Sequence, residues 1–273
     1  MTVLVTGATG KVGRHVVDGL LRAGEAVRAV TRRPGGARLP AGVEVLPGDL
    51  RDPEGLKTAL EGVGRVYLFP VPDSVEAVAA AARDAGVRRI VVLSSIAASY
   101  TEGDYSGDHH RAVELAVEAS GVEWTHIRPG EFMANLLDMW APSIRARNVV
   151  EAPYGQARSV MVHEADVADV AVTALLEDGH AGQRYALTGP ESLTKVEQVR
   201  ILGGVLGREI RFDELTREQA RKLWIGRGMP PEAADWLLQE PEDEPVGPTA
   251  ENVTGRPART FAQWVADHRA DFE

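Results

Sequence analysis

The chain has 273 residues, no cysteine, a formal charge of −10 and an isoelectric point near 5.3. Its length suffices for one full α/β core with a smaller appendage, while its acidity argues against a nucleic-acid surface, which needs clustered Lys and Arg. The lack of cysteine excludes disulfides, thiolate metal sites and cysteine nucleophiles. No apolar run approaches the ~20 residues of a membrane span, and a first strand at Thr2 leaves no room for a leader, so a cytoplasmic protein is expected.

Val3, Leu4 and Val5 read as a buried parallel strand that runs into Gly7, Gly10 and Gly13, spaced G-x-x-G-x-x-G. Such glycines permit a tight turn, close approach of backbone to a pyrophosphate, and close packing of helix on strand. A helix expected from Lys11 presents Val12, Val16, Val17, Leu20 and Leu21 on one face, and its N-terminus favours phosphate. Gly7, Thr9, Gly10, Lys11, Val12 and Gly13 are therefore the expected cofactor-binding turn. The second strand, Val27 to Val30, ends in Thr31-Arg32-Arg33-Pro34. A carboxylate at this point takes the adenosine ribose hydroxyls of NAD, whereas arginine accommodates the 2′-phosphate of NADP. Arg32 and Arg33 thus predict NADP, with NADPH preferred over NADH. After the third strand, Val43 to Leu46, comes Gly48-Asp49-Leu50. Asp49 either meets the adenine amino group or caps the next turn, with Leu50 beside it.

Helices are expected at Pro53 to Leu60, Ser74 to Ala85 and His109 to Ser120, with Gly86 and Gly121 in capping positions. They alternate with strands Val66 to Phe69, Ile90 to Leu93 and Trp124 to Ile127. This alternation gives right-handed βαβ units and an α/β Rossmann fold, a doubly wound parallel sheet. Ser159 to Val162 and Arg184 to Leu187, flanking a helix from Glu164 to Leu176, are expected as late additions to that sheet. From Gly189 the pattern changes to a helix from Thr194 to Leu206, a strand from Glu209 to Phe212, and helices at Arg217 to Trp224 and Glu232 to Leu238. A loop from Gln239 to Thr249 precedes a docking helix marked by Phe261, Trp264 and Val265, and Trp224, Trp236 and Trp264 are expected to pack the core. Residues 1–188 form the expected dinucleotide-binding domain and 189–273 a smaller C-terminal substrate lobe.

Taken together, residues 5–13, Thr31-Arg32-Arg33-Pro34, Val92-Leu93-Ser94-Ser95, His110 with Glu114, residues 127–135 and Thr260-Phe261-Ala262-Gln263-Trp264 resemble the NmrA-like group of atypical short-chain dehydrogenases/reductases. The resemblance spans nearly the whole chain and implies an NAD(P)H-dependent oxidoreductase. It places Pro129 and Gly130 beside the nicotinamide, followed by Phe132, Met133 and Asn135 on the substrate side.

Carbonyl-reducing members of the wider superfamily carry Ser with Tyr-x-x-x-Lys, whose phenol protonates the developing alkoxide. Here Tyr105 is followed four residues later by His109, and the lysines are Lys11, Lys57, Lys195 and Lys222, none of which can fill the lysine position. Tyr105 is then either a proton donor helped by His109 or a lid residue. His110 is the stronger polar candidate: Glu114 at i+4 shares its helix face, and the imidazole either donates a proton, oriented by Glu114, or forms an exposed ion pair. Adjacent His109 and His110 point apart and have no third ligand nearby, so no metal is expected. Ser94 and Ser95 either bond the nicotinamide ribose or a substrate oxygen, or serve as turn serines. Without a strong acid, hydride suits an acceptor that delocalises or cancels the resulting charge, such as a quinone, an iminium ion or a cationic dye. Phe69, Pro70 and Val71, with Phe132, Met133 and Asn135, either line an apolar slot for it between core and lobe or belong to the core.

The expected activity is hydride delivery to a quinone or similar conjugated acceptor. The alternatives are a nucleotide-sensing regulator without turnover and a biosynthetic carbonyl or imine reductase. Expected partners are a small-molecule hydride acceptor and at most a second copy in a homodimer, with no nucleic acid and no membrane.

Overall fold

The computed structural model describes residues 1–100, 102–104, 106–239 and 245–273. In chain order the first half contains β1 (Thr2–Val5), α1 (Gly13–Arg22), β2 (Ala26–Thr31), β3 (Glu44–Pro47), α2 (Lys57–Leu60), β4 (Val63–Leu68), α3 (Val75–Asp84), β5 (Arg89–Leu93), α4 (Gly107–Ala119) and β6 (Glu123–Pro129). The second half contains α5 (Asn135–Met139), α6 (Ala141–Arg147), β7 (Val149–Ala152), β8 (Arg158–Ser159), α7 (Glu164–Leu176), β9 (Gln183–Leu187), β10 (Leu193–Thr194), α8 (Lys195–Leu206), β11 (Arg211–Glu214), α9 (Arg217–Gly226), α10 (Pro231–Leu237), α11 (Glu251–Thr254) and α12 (Phe261–Asp267). No helix among the described residues is long and apolar enough to cross a membrane.

Seven strands form one parallel sheet in the order β3-β2-β1-β4-β5-β6-β9. The chain builds outward from β1 to β3, then crosses to β4 and builds the other way, as a Rossmann fold does. The switch lies between β1 and β4, and the carboxyl ends of these strands are where such sheets bind ligands. Two expectations need correction. Residues 159–162 do not join this sheet, because β9 occupies the free edge of β6; β8 pairs antiparallel with β10 instead. The helix expected at 53–60 is a 3₁₀ turn, Glu54–Leu56, followed by the single turn of α2.

The chain divides into two compact units. One comprises residues 1–130, 164–187 and 250–256, and the other 131–163, 188–249 and 257–273. The expected boundary near 188 therefore coincides with one crossing, while 131–163 belong with the later residues and 250–256 with the earlier ones. In the first unit Val3, Leu4, Val5, Ile90, Val91 and Val92 are at most 1% exposed, the continuous apolar runs expected of strands covered on both faces. Helices α1 and α7 pack closely at Gly19, where a Cβ would stand 2.8 Å from Val172 Cγ2. Arg89, buried at the start of β5, donates to the carbonyls of Ala174 and Leu175 at 3.1 and 3.2 Å and to that of Glu177, so it caps the C-terminus of α7. The same guanidinium pairs with Glu123 and Asp178.

The second unit is held by Trp140, Ile144, Leu202, Phe261, Trp264 and Phe272. Trp264 is fully buried and Trp224 is 6% exposed, in line with a packing role. Parallel β7 and β11 form a separate two-stranded sheet, and α8, α9 and α12 each begin with a capping box, built on Thr194–Glu197, Thr216–Gln219 and Thr260–Gln263.

Candidate functional site

The site starts from a residue that the glycine spacing does not mark. Thr6, just past β1, donates its hydroxyl to the Tyr67 carbonyl at 3.0 Å and accepts from the Phe69 N–H at 2.7 Å. This ties the ends of β1 and β4 together at the switch point. Gly7 then takes φ +59°, the left-handed region that glycine occupies without strain. The Gly10 N–H donates to the Gly7 carbonyl at 2.9 Å, closing the turn. A Cβ on Gly13 would lie 2.2 Å from the Gly7 oxygen, and one on Gly10 would lie 3.1 Å from it. Side chains would fill this cradle, and bare backbone leaves it open to a pyrophosphate. Thr9 and Gly10 are exposed at its rim, Lys11 is half-buried, and Val12 is buried beneath it. The helix opens at Gly13 rather than near Lys11.

At the end of β2, Arg32 and Arg33 are exposed, and among the described residues neither guanidinium has a partner. Two unneutralised cations side by side in a chain of net charge −10 fit a phosphate beyond the ribose. Asp49 accepts from the Arg51 N–H at 3.0 Å, which is the turn-capping alternative, and Leu50 packs against the core. Past β4, Phe69 is 45% exposed, with its ring 3.2 Å from where a Gly7 Cβ would be; Pro70 and Val71 are half-buried. The cradle, the arginines and Phe69 follow three adjacent strands, an arrangement that fits a dinucleotide.

The polar residues at the carboxyl ends of β5 and β6 are arranged differently from the expectation. Ser95 accepts from the Ala97 N–H at 3.2 Å and caps the turn Ile96–Ser99, the turn-serine role. Tyr105 lies outside the described residues. His110 is half-buried with its Nδ1 lacking a partner, and its expected orientation by Glu114 is corrected. Glu114, 2% exposed, accepts instead from Ser94 Oγ at 2.5 Å and from Arg128 Nε and Nη2 at 2.8 and 2.5 Å. The fork of Arg128, projecting from β6, outcompetes a neutral imidazole for a buried carboxylate.

Burial opposes ionisation of Glu114, but the hydrogen bonds from Arg128 and Ser94 outweigh it and hold the carboxyl below its usual pKa. Nearby, His126 is fully buried, stacks on Trp124 at 4.4 Å and lies 3.1 Å from Glu118. Glu114, Glu118 and His126 could together ligate a metal by spacing, yet Arg128 and Arg184 already occupy the carboxylates, so the group is an ion-pair network.

Burial depresses the pKa of both His110 and His126. The folded state thus resists protons that unfolded imidazoles accept below 6.5, so this stabilisation is full above that pH and lost as the pH falls through the depressed values. Thermal melts are expected to hold steady from pH 8 to about 6.5 and decline below it; a flat profile down to pH 5 would contradict this origin.

In the second unit, the segment after β6 is fastened to residue 162: the Val162 N–H donates to the Glu131 carbonyl at 2.7 Å and the Met133 N–H to the Val162 carbonyl at 3.0 Å. Phe132 and Asn135 are half-buried. Met133 is 2% exposed and packs into the core with Leu136 and Trp140, so a ligand-facing role for it is not supported. Pro129 is buried at the end of β6, and the Gly130 N–H donates to the Leu187 carbonyl at 2.9 Å.

A family model described as NAD(P)H-binding matches residues 7–178. The chain is 45% identical, over 99% of each sequence, to a (4-alkanoyl-5-oxo-2,5-dihydrofuran-3-yl)methyl phosphate reductase of Streptomyces griseus. It is 38% identical to an NAD(P)H azoreductase of Xenophilus azovorans, again over 99% of both. A triphenylmethane reductase of Citrobacter sp., solved with NADP(H), superposes with a TM-score of 0.82 at 24% identity, covering 98% of this chain and 99% of that one.

Proposed function

Because the chain belongs to the NAD(P)H-binding, NmrA-like atypical short-chain dehydrogenases/reductases and is an NAD(P)H-dependent reductase, we propose that it passes hydride from NADPH to a conjugated acceptor whose charge, once reduced, spreads over neighbouring carbonyl or aza groups. The observation that carries this reading is the full-length likeness to the Streptomyces enzyme. That enzyme's named substrate has a ring double bond flanked by an alkanoyl and a ring carbonyl. Hydride arriving at the distal carbon leaves an anion shared by both carbonyls, which needs no strong acid. The azo bond of the second relative's substrate class and a quinone share this tolerance.

The dihydronicotinamide, when bound, supplies hydride. The glycine turn at 7–13 would hold the pyrophosphate, Arg32 and Arg33 the 2′-phosphate, and Phe69 with Val71 an apolar wall that excludes water. His110, half-buried on α4, is the imidazole that this reading assigns to pass a proton. The chain has no lysine where a tyrosine–lysine pair would require one, which fits an acceptor undemanding of acid.

Two measurements test this reading. Kinetics on a (4-alkanoyl-5-oxo-2,5-dihydrofuran-3-yl)methyl phosphate, an azo dye, a quinone and an unconjugated ketone should rank the ketone last by orders of magnitude; a ketone turned over as fast as the others would overturn the acceptor class. Arg32→Ala should weaken NADPH binding by about 1.5–3 kcal/mol, the scale of a charged hydrogen bond, and spare NADH. Equal losses for the two nucleotides would refute the 2′-phosphate contact.

A further inference from the structure

Ser94 is the first residue past β5 and is 3% exposed. Its N–H donates to the Ile127 carbonyl at 2.7 Å, which pins its backbone to β6. Its hydroxyl donates to Glu114 Oε1 at 2.5 Å. That carboxylate is gripped side-on by the Arg128 fork at 2.8 and 2.5 Å, with Arg184 Nε a further 3.9 Å from Oε2. The hydroxyl therefore faces an acceptor backed by two cations. A serine hydroxyl carries one proton and two lone pairs, and an ionised carboxylate takes the proton, so only lone pairs remain for anything else that reaches Oγ.

The sheet order makes this bear on the bound nucleotide. β5 is the neighbour of β4, whose end is tied by Thr6 to the glycine turn, so Ser94 stands about 5 Å, one strand spacing, further along the same row of carboxyl ends. The two halves of a Rossmann sheet take the two halves of a dinucleotide. With Arg32 marking the adenosine side on β2, the ends of β4 and β5 fall to the nicotinamide riboside.

We propose that Glu114 is a positioning residue: clamped by Arg128, it takes the Ser94 proton and turns Ser94 Oγ into a pure acceptor for an O–H or N–H donor of the nicotinamide riboside. The arrangement also denies the site a serine donor for an alkoxide, so the same clamp selects against isolated ketones. This inference rests on the nucleotide assignment and not on the identity of the acceptor substrate.

The test is NADPH affinity and steady-state kinetics for Ser94→Ala, Glu114→Gln and the double variant, with thermal melts alongside. Ser94→Ala removes no charge and is expected to raise the Kd and KM for NADPH about fivefold to tenfold, the loss of one hydrogen bond, with kcat within twofold and a melting temperature lower by a few degrees, because buried Glu114 loses a donor. Glu114→Gln replaces the charged acceptor with a neutral one that must also turn an NH2 towards Arg128 or Ser94, so it loosens the hold on the Ser94 proton and should weaken NADPH by up to a similar factor while raising ketone turnover relative to quinone. The double variant should be no worse for NADPH than Ser94→Ala alone, because Glu114 acts through Ser94. Wild-type NADPH affinity in Ser94→Ala, or losses that multiply in the double variant, would overturn the proposal. If Glu114→Gln fails to fold, Ser94→Ala still decides it. Wild-type protein that binds no NADPH would overturn the nucleotide assignment and this inference with it.

Discussion

Gly13→Ala is expected to lower NADPH affinity by at least tenfold and to destabilise the first unit. The added Cβ would stand 2.2 Å from the Gly7 oxygen, 2.8 Å from its carbonyl carbon and 3.0 Å from Ala8 Cα. These are backbone atoms with no rotamer to yield, so the turn itself must move. That turn is fixed by the left-handed Gly7 and by the Gly10 N–H bond to the Gly7 carbonyl, and movement there shifts the N-terminus of α1 away from the pyrophosphate. Overpacking of this kind costs about 1–3 kcal/mol in stability, and misplacing the cradle adds the binding loss. Gly24→Ala provides the contrast: Gly24 also has a positive φ, +77°, but no atom lies within 4 Å of its would-be Cβ. It should cost about 1 kcal/mol in stability and leave NADPH affinity intact. Titration of both variants with NADPH checks the pair, and equal affinities would contradict the cradle.

Arg89→Ala is expected to destabilise the protein by about 2–4 kcal/mol, chiefly because buried helix-end carbonyls lose a charged donor, while Glu123 and Asp178 both reach solvent, and to lower its melting temperature by roughly 10 °C. One guanidinium serves the carbonyls of Ala174, Leu175 and Glu177 and the carboxylates of Glu123 and Asp178. Removing it orphans the last carbonyls of α7 and leaves Glu123 without its cation. Arg89→Lys keeps the charge but cannot reach two directions at once, so it should recover only a small part of the loss. Since α7 packs on α1 at Gly19, the damage should propagate to the nucleotide turn and appear as weakened NADPH binding near the melting transition. Chemical denaturation of both variants measures the effect, and a loss below 1 kcal/mol would show that solvent takes over the helix cap.

The glycine turn of the candidate nucleotide site was legible in the sequence because local spacing encodes it. The Gly7, Gly10 and Gly13 turn follows its strand directly, and Arg32 and Arg33 end the next one. Chemistry that depends on long-range pairing was not legible. Glu114 has His110 one helical turn away, and spacing alone couples those two; its true partners, Ser94 and Arg128, are 20 and 14 residues distant and meet it only because β5 and β6 lie side by side. Thr6 carried no signal beyond being a hydroxyl at a strand end, since its partners Tyr67 and Phe69 arrive from β4. The same limit explains residues 159–162: their apolar character suits a sheet, but β9 claims the edge they would need. Met133 shows the other ambiguity, because an apolar residue after a strand reads alike whether it lines a pocket or, as here, fills a core.

Isotope tracing tests whether hydride passes directly from NADPH to the acceptor. NADPH carrying deuterium at the transferable nicotinamide position would be incubated with the protein and a (4-alkanoyl-5-oxo-2,5-dihydrofuran-3-yl)methyl phosphate. One deuterium per product is expected, on the ring carbon distal to the two carbonyls, with NADPH consumed in equal amount. Protein that binds NADPH yet leaves it unoxidised in the presence of this acceptor, a quinone and an azo dye would contradict it and identify a nucleotide-sensing protein instead.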